Sequence, residues 1–308
     1  MNVVLFAAGS RYSKVILEEL AKRGLVRAVV GPAARGTGWQ RLVRSVLIAW
    51  AGRHFRSAVR RLRLPLIRFR GAADLTGVIA DAFCVAAFPY LLKEEVRAKA
   101  RFVFNVHPSL LPRHRGGDPL FWTYFCDDRE CGVTVHLMDE GTDSGAIVAQ
   151  AQMPLPRGMR SSELSELLAE RGAVLLADVL TSPIQPQPQE ESLATMDPLP
   201  RLGAWQIDWE IWPAERVWHF LRGVGSTHGH LLTDYRGERM PVGEAIRFTE
   251  DKHDRAPGTI KRHLRGAKIF CVDGTVDVRA ISPMRQLAAL LRRLTPFRDS
   301  TKTKPIRS

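Results

Sequence analysis

Residues 104–119 read FNVHPSLLPRHRGGDP. An apolar run ends here in Asn105 and His107, then breaks at Pro108 into a loop punctuated by proline and arginine. Alternate side chains of a strand point to the same face, so Asn105 and His107 lie on one side. That sets an amide donor beside a titratable imidazole at the end of a strand. The same two residues could also cap and turn the chain, because asparagine readily bonds nearby backbone. The place of this strand in the chain bears on which reading holds.

Outward from it, the runs VVLFAA (3–8), VRAVV (26–30), LPLIRF (64–69), FCVAAF (83–88) and FVFNV (102–106) alternate with helical stretches. In KVILEELAKRG, Val15, Ile16, Leu17, Leu20 and Ala21 form one apolar face and Gly24 ends it. EEVRAKA reads as a further helix. This βαβα order predicts an α/β, Rossmann-like domain with a mostly parallel sheet. Ligands of such sheets sit beyond the carboxyl ends of the strands, and Asn105 and His107 stand at one. Residues 131–155 add two strand-like pieces around an acidic, glycine-bearing loop, and 161–180 a helix. Three prolines in PIQPQP (183–188) predict a semi-rigid linker. The predicted organisation is an α/β domain over 1–182, a Pro-rich linker over 183–203 and a small β-barrel-like domain over 204–284. A basic, partly disordered tail follows over 285–308. Short runs such as HLLTDY, PVGEAIRF, GTIKRH, AKIFCV and TVDVRAI, with a turn at Asp273-Gly274, carry the barrel reading.

The 308 residues, 45% apolar and 25% charged, suffice for a packed core without staples. Cys84, Cys126, Cys131 and Cys271 show no CxxC spacing, which suits free thiols in a reducing cytoplasm. The start, MNVVLFAAGS, lacks a basic n-region, and no signal peptide is expected. No run approaches the roughly 20 apolar residues of a membrane span. The net charge of +13 is concentrated: residues 31–70 hold ten arginines and no aspartate, glutamate or lysine. Such a field attracts polyanions and says nothing of fold.

The acidic loop MDEGTDSG (138–145) completes a pattern with Asn105 and His107. NVHPSLLPRHRG followed by GVTVHLMDEGTDSGAIVAQ, with Asn105 and Asp143 standing 38 positions apart, resembles the 10-formyltetrahydrofolate-dependent formyltransferases. IDW (207–209), PAERVWHFLRG and CVDGTVDVRAIS extend the likeness, more loosely, through the C-terminal part. The resemblance implies a catalytic triad of Asn105, His107 and Asp143, a formyltransferase fold with a C-terminal barrel, and 10-formyltetrahydrofolate as donor without a metal. It also implies a cofactor wall from the AFPYLLK segment and the acidic loop, that is Phe88, Tyr90, Leu91, Leu92, Asp139 and Gly141. The triad chemistry follows from residue type. An amide donor stabilises a developing oxyanion by about 3 kcal/mol, an imidazole moves a proton, and a carboxylate orients it. Gly141 and Gly145 are expected to permit the tight turn that aims Asp143 inward. His136 reads as structural, and His114 as a residue that could touch the acceptor.

The acceptor is an amine. The domain order is most like that of methionyl-tRNA formyltransferases, and amino-sugar N-formyltransferases acting on nucleotide-linked 4-amino sugars share the plan. The favoured acceptor is the aminoacyl-tRNA, with the nucleotide-sugar as alternative and a non-catalytic folate- or RNA-binding relative as a reading of another class. GPAARGTGWQRLVRS (31–45) and GVGSTHGHLL (223–232) depart from the tRNA enzymes' usual segments. The insert 39–63 pulls the other way. Trp39, Val43, Val46 and Trp50 share a helical face, and Arg53, Arg56, Arg60 and Arg63 line another, as phosphate contacts would require. The alternatives for that stripe are a solvated helix face or contact with an anionic membrane surface. Arg113 and Arg115, in the loop after His107, are further candidates for holding the acceptor.

Overall fold

The structure, a computed structural model, describes residues 1–34, 38–39, 42, 45–46, 48, 52–200, 206–228, 234, 236 and 242–280. Val43 and Trp50 of the insert, all of HLLTDY but Asp234, and the basic tail lie outside the described residues.

The chain opens with β1 (Val3–Ala7), α1 (Arg11–Lys22) and β2 (Val26–Pro32), followed by α2 (Arg53–Arg61), β3 (Leu66–Phe69) and β4 (Ala80–Ala86). Then come α3 (Glu94–Arg97), β5 (Ala100–His107), β6 (Arg115–Gly116), α4 (Pro119–Phe125), β7 (Glu130–Leu137), β8 (Ile147–Pro154) and α5 (Ser161–Thr181). The remainder holds β9 (Met196–Asp197), α6 (Ala214–His228), β10 (Val242–Thr249), β11 (Ile260–His263), β12 (Gly266–Phe270) and β13 (Thr275–Ala280).

Seven strands form one sheet in the order β3-β2-β1-β4-β5-β7-β8. The first five are parallel; β7 and β8 join antiparallel. All five residues of β1 are buried, as expected of a central strand covered on both faces. Its alternation divides the core. Val3, Leu5 and Ala7 pack with Ile16 and Leu20 of α1 and Leu168 and Leu176 of α5. Val4 and Phe6 pack on the other face with Phe83, Val85, Leu92 and Val103. The side-chain oxygen of Ser10 caps α1 by accepting from the Ser13 amide at 3.1 Å.

The C-terminal strands form a four-stranded antiparallel sheet, β10-β13-β12-β11, with the Asp273-Gly274 turn between β12 and β13. The Cys271 amide closes that turn on Gly274 O at 2.8 Å. One core runs from the large sheet through Phe121 and Tyr124 of α4 into Trp212, Phe220, Ile269 and Val278. Where the prolines suggested a spacer, residues 187–198 are instead bonded to the large domain. Gln187 bridges Ile147 through paired backbone bonds of 2.7 and 2.8 Å, and β9 pairs parallel to β6. The pairing partners lie far away in sequence, so composition alone did not reveal them.

Candidate active site

Asn105 and His107 follow Val103 in the alternation of β5, which puts them on the sheet face of Phe6, Val85 and Leu92. Val85 is the register partner of Asn105 on one side and His136 on the other. The site therefore forms where β4, β5 and β7 lie side by side at the carboxyl edge of β5.

Asp143 joins from the loop between β7 and β8. Its backbone is left-handed, with φ at 54°. Gly141 and Gly145 give the loop the clearance its tight path needs, while the left-handed backbone falls on Asp143 itself. A Cβ on Gly145 would come within 1.9 Å of Leu137 O, and one on Gly141 within 2.1 Å of the Ser144 hydroxyl. Asp143 Oδ2 accepts from the Gly116 amide at 2.9 Å and lies 3.6 Å from His107 Nδ1. Its other oxygen accepts from Asn105 Nδ2 at 3.1 Å.

The network fixes the proton positions. His107 Nε2 lies 2.9 Å from the His114 carbonyl, which can only accept, so Nε2 carries the ring proton. Nδ1 is then an unprotonated base facing Asp143. The same argument puts the proton of His136 on Nδ1, 2.8 Å from Leu137 O. His136 Nε2 accepts from Asn105 Nδ2 at 3.2 Å and stands 3.5 Å from Asp143 Oδ1. Both amide hydrogens of Asn105 are thereby engaged. The orientation of this amide is secure, because a flip would set two oxygens face to face at Asp143.

Burial pushes the pKa of His107 below its ordinary 6.5, and the carboxylate and the His114 carbonyl only partly offset it. Burial alone would raise Asp143, yet His107, His136 and the Gly116 amide outweigh it and hold the carboxyl below the usual range. At neutral pH the pair is a neutral imidazole beside a carboxylate.

The other expected residues fall out differently. Phe88 and Tyr90 are half-buried beside the site's sheet face, their rings edge-on to one another at 5.6 Å, with Phe88 5.4 Å from Phe6. Leu91 is exposed. Leu92 is fully buried in the core behind them, so it anchors the loop and offers no surface to a ligand. Asp139 folds the acidic turn, accepting from the Gly141 amide at 3.0 Å and the Ser144 hydroxyl at 2.9 Å. Arg115 is not available to an acceptor. It is buried, donating to Gln189 Oε1 at 2.8 and 3.0 Å and gripping Glu191 with both terminal nitrogens. His114 is likewise buried rather than acceptor-facing, its ring between Asp128 and Asp197. Arg113 is exposed and pairs with Asp128 at 2.7 Å. Arg53 and Arg60 lie on the exposed side of α2. Arg56 leans inward to Ile48 O at 3.0 Å and lines a cavity of about 80 Å³ with Phe55, Arg68 and the β1–α1 turn at Gly9. That cavity opens at the carboxyl ends of β1 and β2, two to three strands from Asn105, or roughly 10–15 Å at the usual strand spacing.

Two residues of the site escaped the sequence reading, His136 because it was read as structural and Gln189 because it was not singled out. His136 alternates correctly within its strand, but only the β5–β7 register sets it against Asn105. Gln189 donates to Asp143 O at 2.8 Å and Gly145 O at 2.7 Å from a segment that reads as linker. Among the described residues no cluster of three or more His, Cys, Asp or Glu could hold a metal, and no helix is long and apolar enough to cross a membrane.

Two family models match the chain: Formyl transferase over residues 68–180, and Formyl transferase, C-terminal domain, over 204–290. Methionyl-tRNA formyltransferase of Enterococcus faecalis is 30% identical over 286 residues, covering 90% of this chain and 89% of that protein. The enzyme of the same name from Synechococcus sp. (strain JA-3-3Ab) is 36% identical over 175 residues, so the chain spans about half the length of that relative, 53%. Among solved structures, the N-formyltransferase from Helicobacter canadensis in complex with folinic acid and dTDP-3-aminofucose superposes with a TM-score of 0.63. It is 16% identical, with 91% of this chain and 100% of that one covered, a likeness of fold. With both family domains matched in order around the Asn105–His107–Asp143 constellation, the chain belongs to the formyl transferase family.

Proposed function

We propose that the protein transfers a formyl group from 10-formyltetrahydrofolate to a primary amine, and that the amine is the aminoacyl group of initiator methionyl-tRNA. One observation carries the reading: an amide, an unprotonated imidazole nitrogen and a carboxylate converge at the carboxyl edge of β5. The amine nitrogen bonds to the formyl carbon and charge develops on the formyl oxygen. Asn105 Nδ2 donates to that oxygen with the hydrogen that otherwise faces His136. This contribution is worth about 3 kcal/mol. The amine's proton goes to His107 Nδ1, where the imidazolium so formed is paired with Asp143. The bond from the formyl carbon to the folate nitrogen then breaks, and that nitrogen takes the proton back.

For the donor, the half-buried Phe88 and Tyr90 and the exposed Leu91 flank the sheet face that carries Asn105, and Met138 of the acidic loop packs in the same cluster. A flat pteridine suits such an aromatic and aliphatic wall, with the Asp139–Gly141 turn at its polar rim. For the acceptor, the names of the relatives aligned over most of the chain support a tRNA. The arginines of α2, near the crevice at the ends of β1 and β2, fit a polyphosphate backbone.

Tetrahydrofolate release tests this reading, measured with charged initiator tRNA and, separately, with nucleotide-linked amino sugars. Turnover is expected with the tRNA and should fall about 10²- to 10³-fold in Asn105→Ala. Turnover with an amino sugar alone would reassign the acceptor. Turnover that survives Asn105→Ala would remove the oxyanion role.

A further inference from the structure

The segment that leads to the C-terminal domain touches both halves of the site. On one side, Gln189 holds the carbonyls of Asp143 and Gly145 and, through its own oxygen, Arg115. On the other side the contacts converge on His114. The His114 amide donates to Thr195 Oγ1 at 2.7 Å, and the next amide, Arg115 N, to Thr195 O at 3.0 Å. The His114 ring lies 2.5 Å from Asp197 Oδ2 through Nδ1 and 2.7 Å from Asp128 Oδ2 through Nε2. Arg113 takes the second oxygen of Asp128 at 2.7 Å. Both ring nitrogens meet carboxylate oxygens and the ring is only 4% exposed, so the two acidic side chains clamp it in one geometry.

The clamp has something to hold. His114 sits at φ 60°, a left-handed conformation uncommon among residues that carry a side chain. Its carbonyl is the acceptor for His107 Nε2. Without that acceptor, a His–Asp pair is better satisfied by the opposite tautomer, with Nδ1 donating to Asp143 and the basic nitrogen turned away from the site.

We propose that His114, clamped between Asp128 and Asp197, is the positioning residue of His107: it fixes the tautomer that leaves Nδ1 free to take a proton. Asp197 belongs to the interdomain segment, so that segment acts as a strap closing the site. The consequence for catalysis rests on the reading of His107 as proton acceptor. The tautomer can be observed without turnover, so the two ideas can fail separately.

The test uses the full chain labelled with ¹⁵N at histidine. Long-range ¹H–¹⁵N spectra read the tautomer of His107, assigned by its loss in His107→Gln. The native protein is expected to show the Nε2–H form. In Asp197→Ala the signal should move toward a mixture with the Nδ1–H form, and kcat should fall about 10- to 100-fold with KM for the donor unchanged. Asp197→Glu, which keeps a carboxylate within reach, should restore both. His114→Gln provides a second variant should Asp197→Ala fold poorly. An unaltered Nε2–H tautomer in either folded variant would overturn the proposal, as would a loss of kcat that only tracks the loss of thermal stability. Formyl transfer absent from the native protein, with the tautomer shift present, would leave the clamp standing and refute the proposed reaction.

Discussion

His107 is the residue on which the proposed chemistry turns, and its protonation is set by surroundings that pull in opposite directions. Burial favours the neutral ring, and Asp143 favours the charged one, with burial the larger effect. Because the folded value lies below 6.5, the base form is already present at neutral pH. The acid limb of the kcat/KM profile is therefore expected below pH 6.5, and Asp143→Asn should move it lower still by removing the charge that supports the imidazolium. An acid limb above 6.5, or one that rises in the variant, would contradict the assignment. Asparagine is the suitable replacement because it tolerates the left-handed backbone of position 143. In the sequence a period of two put Asn105 and His107 on one face, but their joining with Asp143 came from the resemblance of the two motifs to the formyltransferases. His136 and Gln189 were not legible there, because the contacts that recruit them depend on strand register and on a segment 46 residues beyond Asp143. Arg115 was misread for the same reason. A loop arginine looks exposed until its partners, 74 and 76 residues away, are known.

At the scale of elements, the strands of the parallel sheet and the long helix α5 follow from apolar runs and helical periodicity. The pieces that escaped sequence reading carry no period: PLFWTYF of α4 is apolar but for Thr123, and β6 and β9 are two residues each. α5 shows how packing overrides propensity. Gly172 lies mid-helix, where alanine would ordinarily stabilise by about 1 kcal/mol. Here an added Cβ would come within 2.6 Å of Val106 Cγ1 and 2.8 Å of Val133 Cγ2, on the two strands that present Asn105 and His136. Gly172→Ala is therefore expected to destabilise by about 1–3 kcal/mol and lower the melting temperature. A melting temperature that holds or rises would show that α5 can shift away from the sheet without penalty.

At the scale of the molecule, the two domains expected from the sequence share one packed core. Phe121 and Tyr124 of the large domain pack against Phe220 and His219 of α6, and a Cβ on Gly223 would come within 2.3 Å of the Tyr124 ring. The prolines at 183–188 suggested a boundary, and prolines do stiffen a chain; what they could not reveal is that a stiff segment can also be a structural brace. The clustering of positive charge was legible as composition, and its position on α2 beside the crevice at β1 and β2 needed the fold.

The strap also has a temporal meaning. A chain that leaves the ribosome from its N-terminus can pair every strand of the large sheet once Pro154 has emerged, yet Asp143 lacks Gln189 and His107 lacks its clamp until Asp197 follows. The same order holds in refolding, where contacts of short sequence separation form ahead of distant ones. Sheet formation, followed by far-ultraviolet circular dichroism, is expected to precede the return of the proposed formyl transfer, with Asp197→Ala abolishing its full recovery but not the early phase. Coincident recovery of both signals would mean that brace and sheet form in one step. On this view the newborn chain is shaped before its site is armed.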